Sequence, residues 1–315
     1  MEDEADSKWR EVTRREFGKR AAMAGVAASL PLAGPGEARS EGGSSTSALN
    51  ESAVARFYHA LKDDQKVGIC FPFDDPRRSR VGDDWAVAGP RIQDLSGTQR
   101  GLCREIFKSL CSDEGLDRFR RQMEDDSGGF ENFHVAVFGA PGTGRAFDWV
   151  ITGRHLTLRA DGNRCGGGVF AGPIFYGHSP HESSGRQENV WSYQGRQADL
   201  IFESLDGKER ARTLGCKAEP EASGLAVREL DGGQRGLVEK LVEGMLSTFN
   251  AGDAEEAREW LRCAGGVDQM RFTYCQNGEI GEGRAWNVWK LQGPGFSWYY
   301  HGSPHVHAWI NISGS

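Results

Sequence analysis

"GRAFDWVITGRHLTLRA", residues 144–160, decides how this chain is read. Aromatic and β-branched residues fill both of its ends, and a Gly interrupts them at position 153. Such side chains suit a pleated surface, so the stretch reads as a strand, a short turn and a second strand. A similar stretch, "GRAWNVWKLQGPGFSWYYHG", begins at Gly283, about 139 residues later. In the first copy "LTLRADGNRCGGGVFAGPIFYG" carries the meander on, with Asp161-Gly162 expected as its tight turn.

A second pair of similar stretches precedes the hairpins. "LSGTQRGLCREIFKSL" begins at Leu95 and "LDGGQRGLVEKLVEGML" at Leu230, an offset of about 135 residues. "LDGKER" at Leu205 and "LKDDQK" at Leu61 are shorter relatives. Ser96, Asp206 and Asp231 are each followed three positions later by Gln99, Glu209 and Gln234. That spacing is a capping box, in which each residue satisfies a backbone donor of the other. Leu102, Ile106 and Leu110, and likewise Leu237, Leu241 and Met245, then recur at helical spacing and give each helix a buried face. The Gln-Arg pairs are therefore helix starts.

The expected fold is α+β. A unit of capped helices followed by an antiparallel hairpin or meander occurs twice, in pseudo-two-fold relation, within one domain over residues 51–315. The first repeat covers about 95–181 and the second about 230–307. "GAPGTGRAF" (139–147) has the glycine spacing of a phosphate loop. Arg145 and Ala146 replace the Lys and Ser/Thr of that motif, however, and a strand follows where the phosphates would need a helix N-terminus. A hairpin loop explains it better.

The front end reads differently from the rest. "TRREFGK" (13–19) matches a twin-arginine export signal, with Arg14 and Arg15 as the pair. "AAMAGVAASLPLAG" follows, too short and too Ala/Gly-rich to span a bilayer, and Gly36-Glu37-Ala38 offers a cleavage site. Residues 1–38 are thus expected to be a signal peptide and 39–50 a linker. The twin-arginine machinery is an expected partner, and a periplasmic or extracellular location follows. That route carries folded proteins, often with a cofactor already loaded. The net charge is −7, of which the mature part keeps −6, and no basic block stands out. Nucleic acid is excluded as a partner, and no membrane span is expected in the mature protein. The seven cysteines are an odd number with no CxxC, which points to buried thiols more than to a disulfide scaffold.

Candidate chemistry lies in the histidines. In "HGSPHVHAW" (301–309), His305 and His307 are two apart, which places them on one face of a strand. His301 is in the same segment, but Gly302 and Pro304 leave its direction open. His155 lies in the equivalent hairpin of the first repeat and can approach His305 and His307 if the hairpins pair. Three histidines with an open position suit a catalytic zinc or copper ion better than iron. "GHSPHE" supplies His178, His181 and Glu182 as further ligands or a base. Asp75, in "FPFDDPRRSR", is either a turn cap or a second candidate carboxylate. Against the metal stands a structural network of histidines satisfied by backbone carbonyls. His59 and His134 read as structural.

These stretches resemble the family catalogued as domain of unknown function 3500, in the form found in exported planctomycete-type proteins. The resemblance covers roughly residues 51–312. "FPFDDP", the repeated "LxxxQR" starts, "VFGAPGTG", "GRHLTL" and "HVHAW" carry it. The family's G-H-H-L-S-L maps onto Arg154 and His155, and its N-H-I-H ending onto His305 and His307, with Pro304 in place of Asn. An acidic E-Y-D segment found in many members is replaced here by "WYYHG", so His301 stands where a carboxylate ligand would be. His178 and His181 fall where many relatives have F-G-A-N-P. The resemblance implies the histidine set but no activity. The expected function is a metal-dependent hydrolase or oxidoreductase acting on a small or polymeric extracellular substrate, with Glu182 or Asp75 as base. The alternative is a non-catalytic ligand- or carbohydrate-binding module, for which the nine Trp would supply stacking surfaces.

Overall fold

The computed structural model describes residues 12–13, 45–162, 169–179, 189–215, 224–275, 288–302 and 305–313. The expected signal peptide therefore lies outside the described residues, apart from β1 (Val12–Thr13), which pairs with β3 (Arg80–Val81). Eight helices are described: α1 (Ser45–Ala60), α2 (Asp63–Ile69), α3 (Gly97–Ser109), α4 (Asp113–Ser127), α5 (Ser192–Ser204), α6 (Gly207–Thr213), α7 (Gly232–Leu246) and α8 (Ala251–Cys263). They pack on a mixed sheet of β2 (Cys70–Phe71), β4 (His134–Gly139), β5 (Phe147–Gly153), β6 (Leu156–Gly162), β7 (Ile174–His178), β8 (Leu214–Gly215), β9 (Leu225–Ala226), β10 (Arg271–Cys275), β11 (Val288–Gly293), β12 (Phe296–His301) and β13 (Val306–Ile312). The class is α+β, as expected.

The sheet runs β2-β4-β5-β6-β7-β13-β12-β11-β10-β8, with β9 also on β10. Among the described residues only the two-residue end strands, β2 on β4 and β8 on β10, pair in parallel. From each edge inward a two-residue strand is followed by four longer ones, and β7 meets β13 in the middle.

Alternation divides the side chains between two faces. Val135, Val137, Trp149, Ile151, Leu158, Tyr176, Trp298, Tyr300, Ala308 and Ile310 face the helices in the main core. Ala136, Phe138 and Val150 face the other way and are covered by Trp85, Val87 and Ala88. Further along that second face Val81 covers Phe175 and Trp309.

The helix starts are as read. Ser96, Asp206 and Asp231 cap α3, α6 and α7 in full capping boxes. The turn expected at Asp161-Gly162 is not one: both residues lie in β6, opposite Asp148 and Phe147. Glycine suits that place because a Cβ on Gly162 would meet the Phe147 ring. "GAPGTGRAF" is a loop running into β5, with no helix after it.

Candidate metal centre

His307 is the second residue of β13 and points to the face away from the helices, and His305 immediately precedes that strand. His301, at the end of β12, is the direct cross-strand neighbour of His307 and shares that face. On the other side of β13, Gly177 of β7 stands opposite His307. A Cβ there would lie 2.4 Å from the Val306 carbonyl, 3.0 Å from the His307 ring and 3.4 Å from the His155 ring. Glycine thus leaves open the gap through which His155 reaches His307.

His155 sits in the two-residue turn between β5 and β6 with φ of 58°. A left-handed conformation is unfavourable for a residue with a Cβ, and the two-residue turn between β11 and β12 uses Gly295 at φ of 67°. Surrounding bonds hold His155 there. Its N–H donates to the Asp83 carbonyl at 2.5 Å, and its carbonyl accepts from Gly177 N–H at 3.1 Å and from Gln122 Nε2 at 2.8 Å. Ring centroids lie 4.9 Å apart for His155–His305, 5.0 Å for His155–His307 and 4.6 Å for His305–His307. One ring nitrogen from each lies within 4.8 Å of the others. Two nitrogens on one tetrahedral zinc would be about 3.3 Å apart, so the three would have to draw closer by at most about 1.5 Å to share an ion. The three histidines can therefore hold a metal ion. His155 and His307 are buried and His305 is partly exposed, so the cluster is open on one side. His301 stands farther off, its ring centroid 6.2 Å from that of His307.

Behind His155 lies a carboxylate that the sequence reading missed. Asp126, in the last turn of α4 and with its side chain fully buried, accepts from His155 Nδ1 at 2.7 Å. Its other oxygen accepts from Ser179 N–H at 3.0 Å. Burial pushes the Asp126 carboxyl up, but bonds to His155 and Ser179 outweigh burial and hold it below its ordinary value. Arg154 adds a bond to Ser179 Oγ at 3.2 Å. The preceding residue, Asp125, accepts from His178 Nε2 at 3.0 Å.

His178 is not part of the cluster. It lies opposite Val306 on the helix face, whereas His307 points to the other face. Its Nδ1 accepts from Val190 N–H at 3.1 Å and its Nε2 donates to Asp125, so both nitrogens are engaged. Burial lowers its pKa in spite of the nearby Asp126 and Asp125. His181 and Glu182 lie outside the described residues. Asp75 caps the short helical turn Pro76–Ser79 and pairs with Arg77 at 2.7 Å, the structural role weighed for it above. His134 bonds the Pro90 carbonyl at 3.0 Å.

A family model described as Protein of unknown function (DUF3500) matches residues 43–310. No curated protein and no solved structure gives a match.

Proposed function

The chain belongs to the DUF3500 family, whose description names no activity, and from its site we propose that it binds a divalent metal ion through His155, His305 and His307. The convergence of three imidazoles from two distant parts of the chain carries this reading. A purely structural network would not need His155 in a left-handed turn, where glycine is better suited. Zinc or copper fits an all-imidazole ligand set, and such an ion would supply Lewis-acid or redox chemistry at its open side. Hydrolysis or oxidation of an extracellular substrate is the activity we assign. His301, on the same face, lies across the β12–β13 ladder from His307. The twin-arginine signal fits a protein that takes up its ion and folds before export. We also read the two halves as copies of one unit, in keeping with the repeated helix starts and the sheet order.

Elemental analysis of protein exported by its own signal tests the proposal. About one equivalent of zinc or copper is expected in the wild type, and none in His305→Ala or His307→Ala with the fold retained. A metal-free wild type that stays metal-free when incubated with either ion would sink it.

A further inference from the structure

We infer that Asp126 is a positioning residue that makes His155 a ligand through Nε2. The inference rests on the metal reading above and assigns a role to a residue outside the ligand set. An ionised carboxylate can only accept hydrogen bonds, so the 2.7 Å contact places the proton of neutral His155 on Nδ1. Nε2 is then left with its lone pair, the form a metal requires. The Ser179 backbone N–H holds the second oxygen, so the carboxylate cannot turn away.

The location argues for a purpose. Asp125 and Asp126 lie in the last turn of α4, which contains no basic residue; Arg121, one turn back, comes within 3.8 Å of Asp125, and Asp126 faces His155 instead. The last turn is the negative end of the helix dipole, where carboxylates are unfavourable unless something positive lies near. The two aspartates treat their histidines oppositely. Asp125 binds Nε2 of His178, whose Nδ1 is already taken by Val190, and so leaves that ring no lone pair to offer. Asp126 binds Nδ1 of His155 and leaves Nε2 for the cluster. A carboxylate behind a ligating imidazole also raises its basicity, and removing such a partner lowers metal affinity by about 10–100-fold.

The test is a zinc titration against a competing chelator, with Asp126→Asn, Asp125→Asn, His155→Ala and the double variant His155→Ala/Asp126→Asn beside the wild type. Asp126→Asn should weaken zinc binding by about 10–100-fold. Asp125→Asn should leave it unchanged, and Asp126→Asn should add nothing once His155 is gone. Nitrogen-15 NMR of metal-free wild type should show His155 as the Nδ1–H tautomer, a readout that stands even if Asp126→Asn folds poorly. Wild-type affinity in Asp126→Asn, or an Nε2–H tautomer of His155, overturns the assignment and leaves the metal reading intact. A wild type that binds no zinc while showing the Nδ1–H tautomer overturns the metal reading, and with it the ligand role assigned here.

Discussion

At the scale of single residues, the candidate centre depends as much on an absent side chain as on the three present. Gly177 lets His155 approach His307 across β7. Gly177→Ala would place a methyl 2.4 Å from a backbone oxygen, which cannot swing aside as a side chain can. Overpacking of this kind costs about 1–3 kcal/mol. The expected result is a lower urea midpoint together with weaker zinc binding, since the rings would be pushed apart. Unchanged zinc affinity would mean that the gap is not part of the site. Sequence spacing brought His305 and His307 together, as their ring contact shows, but only His307 lies in β13, so the strand period of two fixes the face of His307 alone. It could not decide His178, whose face depends on the register of β7 against β13. It also passed over Asp126, although a helix whose last turn holds two aspartates and no Lys or Arg runs against the dipole and is a signal that can be read.

At the scale of elements, the capping boxes were legible because they are local. Their second use was not. Gln99 Oε1 takes the Ser96 N–H, while its Nε2 reaches the carbonyl of Ala60, the last residue of α1. Gln234 does the same for Asp231 and for Ser204, the last residue of α5. Each glutamine therefore ties a helix start to the end of an earlier helix. Glutamate is an ordinary capping-box partner, so a purely local role predicts that Gln99→Glu is harmless. The tie to Ala60 predicts a loss of about 1–3 kcal/mol, because a partly buried carbonyl loses its donor and faces a carboxylate. Urea denaturation of Gln99→Glu distinguishes the two. The hairpins were legible for a similar reason, since both turns lie between runs of strand-forming residues. The Asp161-Gly162 turn was misplaced because a glycine in a strand, set against an aromatic ring, looks in sequence like a glycine in a turn.

At the scale of the whole molecule, pH should act through Asp253 near the start of α8. Burial pushes its carboxyl up to about 7, the Asn250 side chain opposes this, and Glu256 and Asp161 add to it. Between its ordinary value of 3.8 and about 7, the folded protein holds a proton that the unfolded chain has released. Stability from this group is thus fully present below 3.8, falls as pH rises through that window, and is level above about 7. Asp75 has the opposite sign: its bond to Arg77 lowers its pKa, so its contribution is lost only in acid below 3.8. Thermal melts from pH 4 to 8 should show Asp253→Asn gaining on the wild type as pH rises, and parallel curves would refute the shift. The sheet order has a different consequence, for the time at which the fold can close. β13 is the latest strand in sequence, yet it fills the centre of the sheet between β7 and β12. While the ribosome is still adding residues before 306, Ile174–His178 is an unpaired, largely apolar edge. Exposed edges of that kind recruit other chains. A nascent chain of this protein therefore carries an open pairing edge until translation delivers Val306–Ile312 into the middle of the sheet.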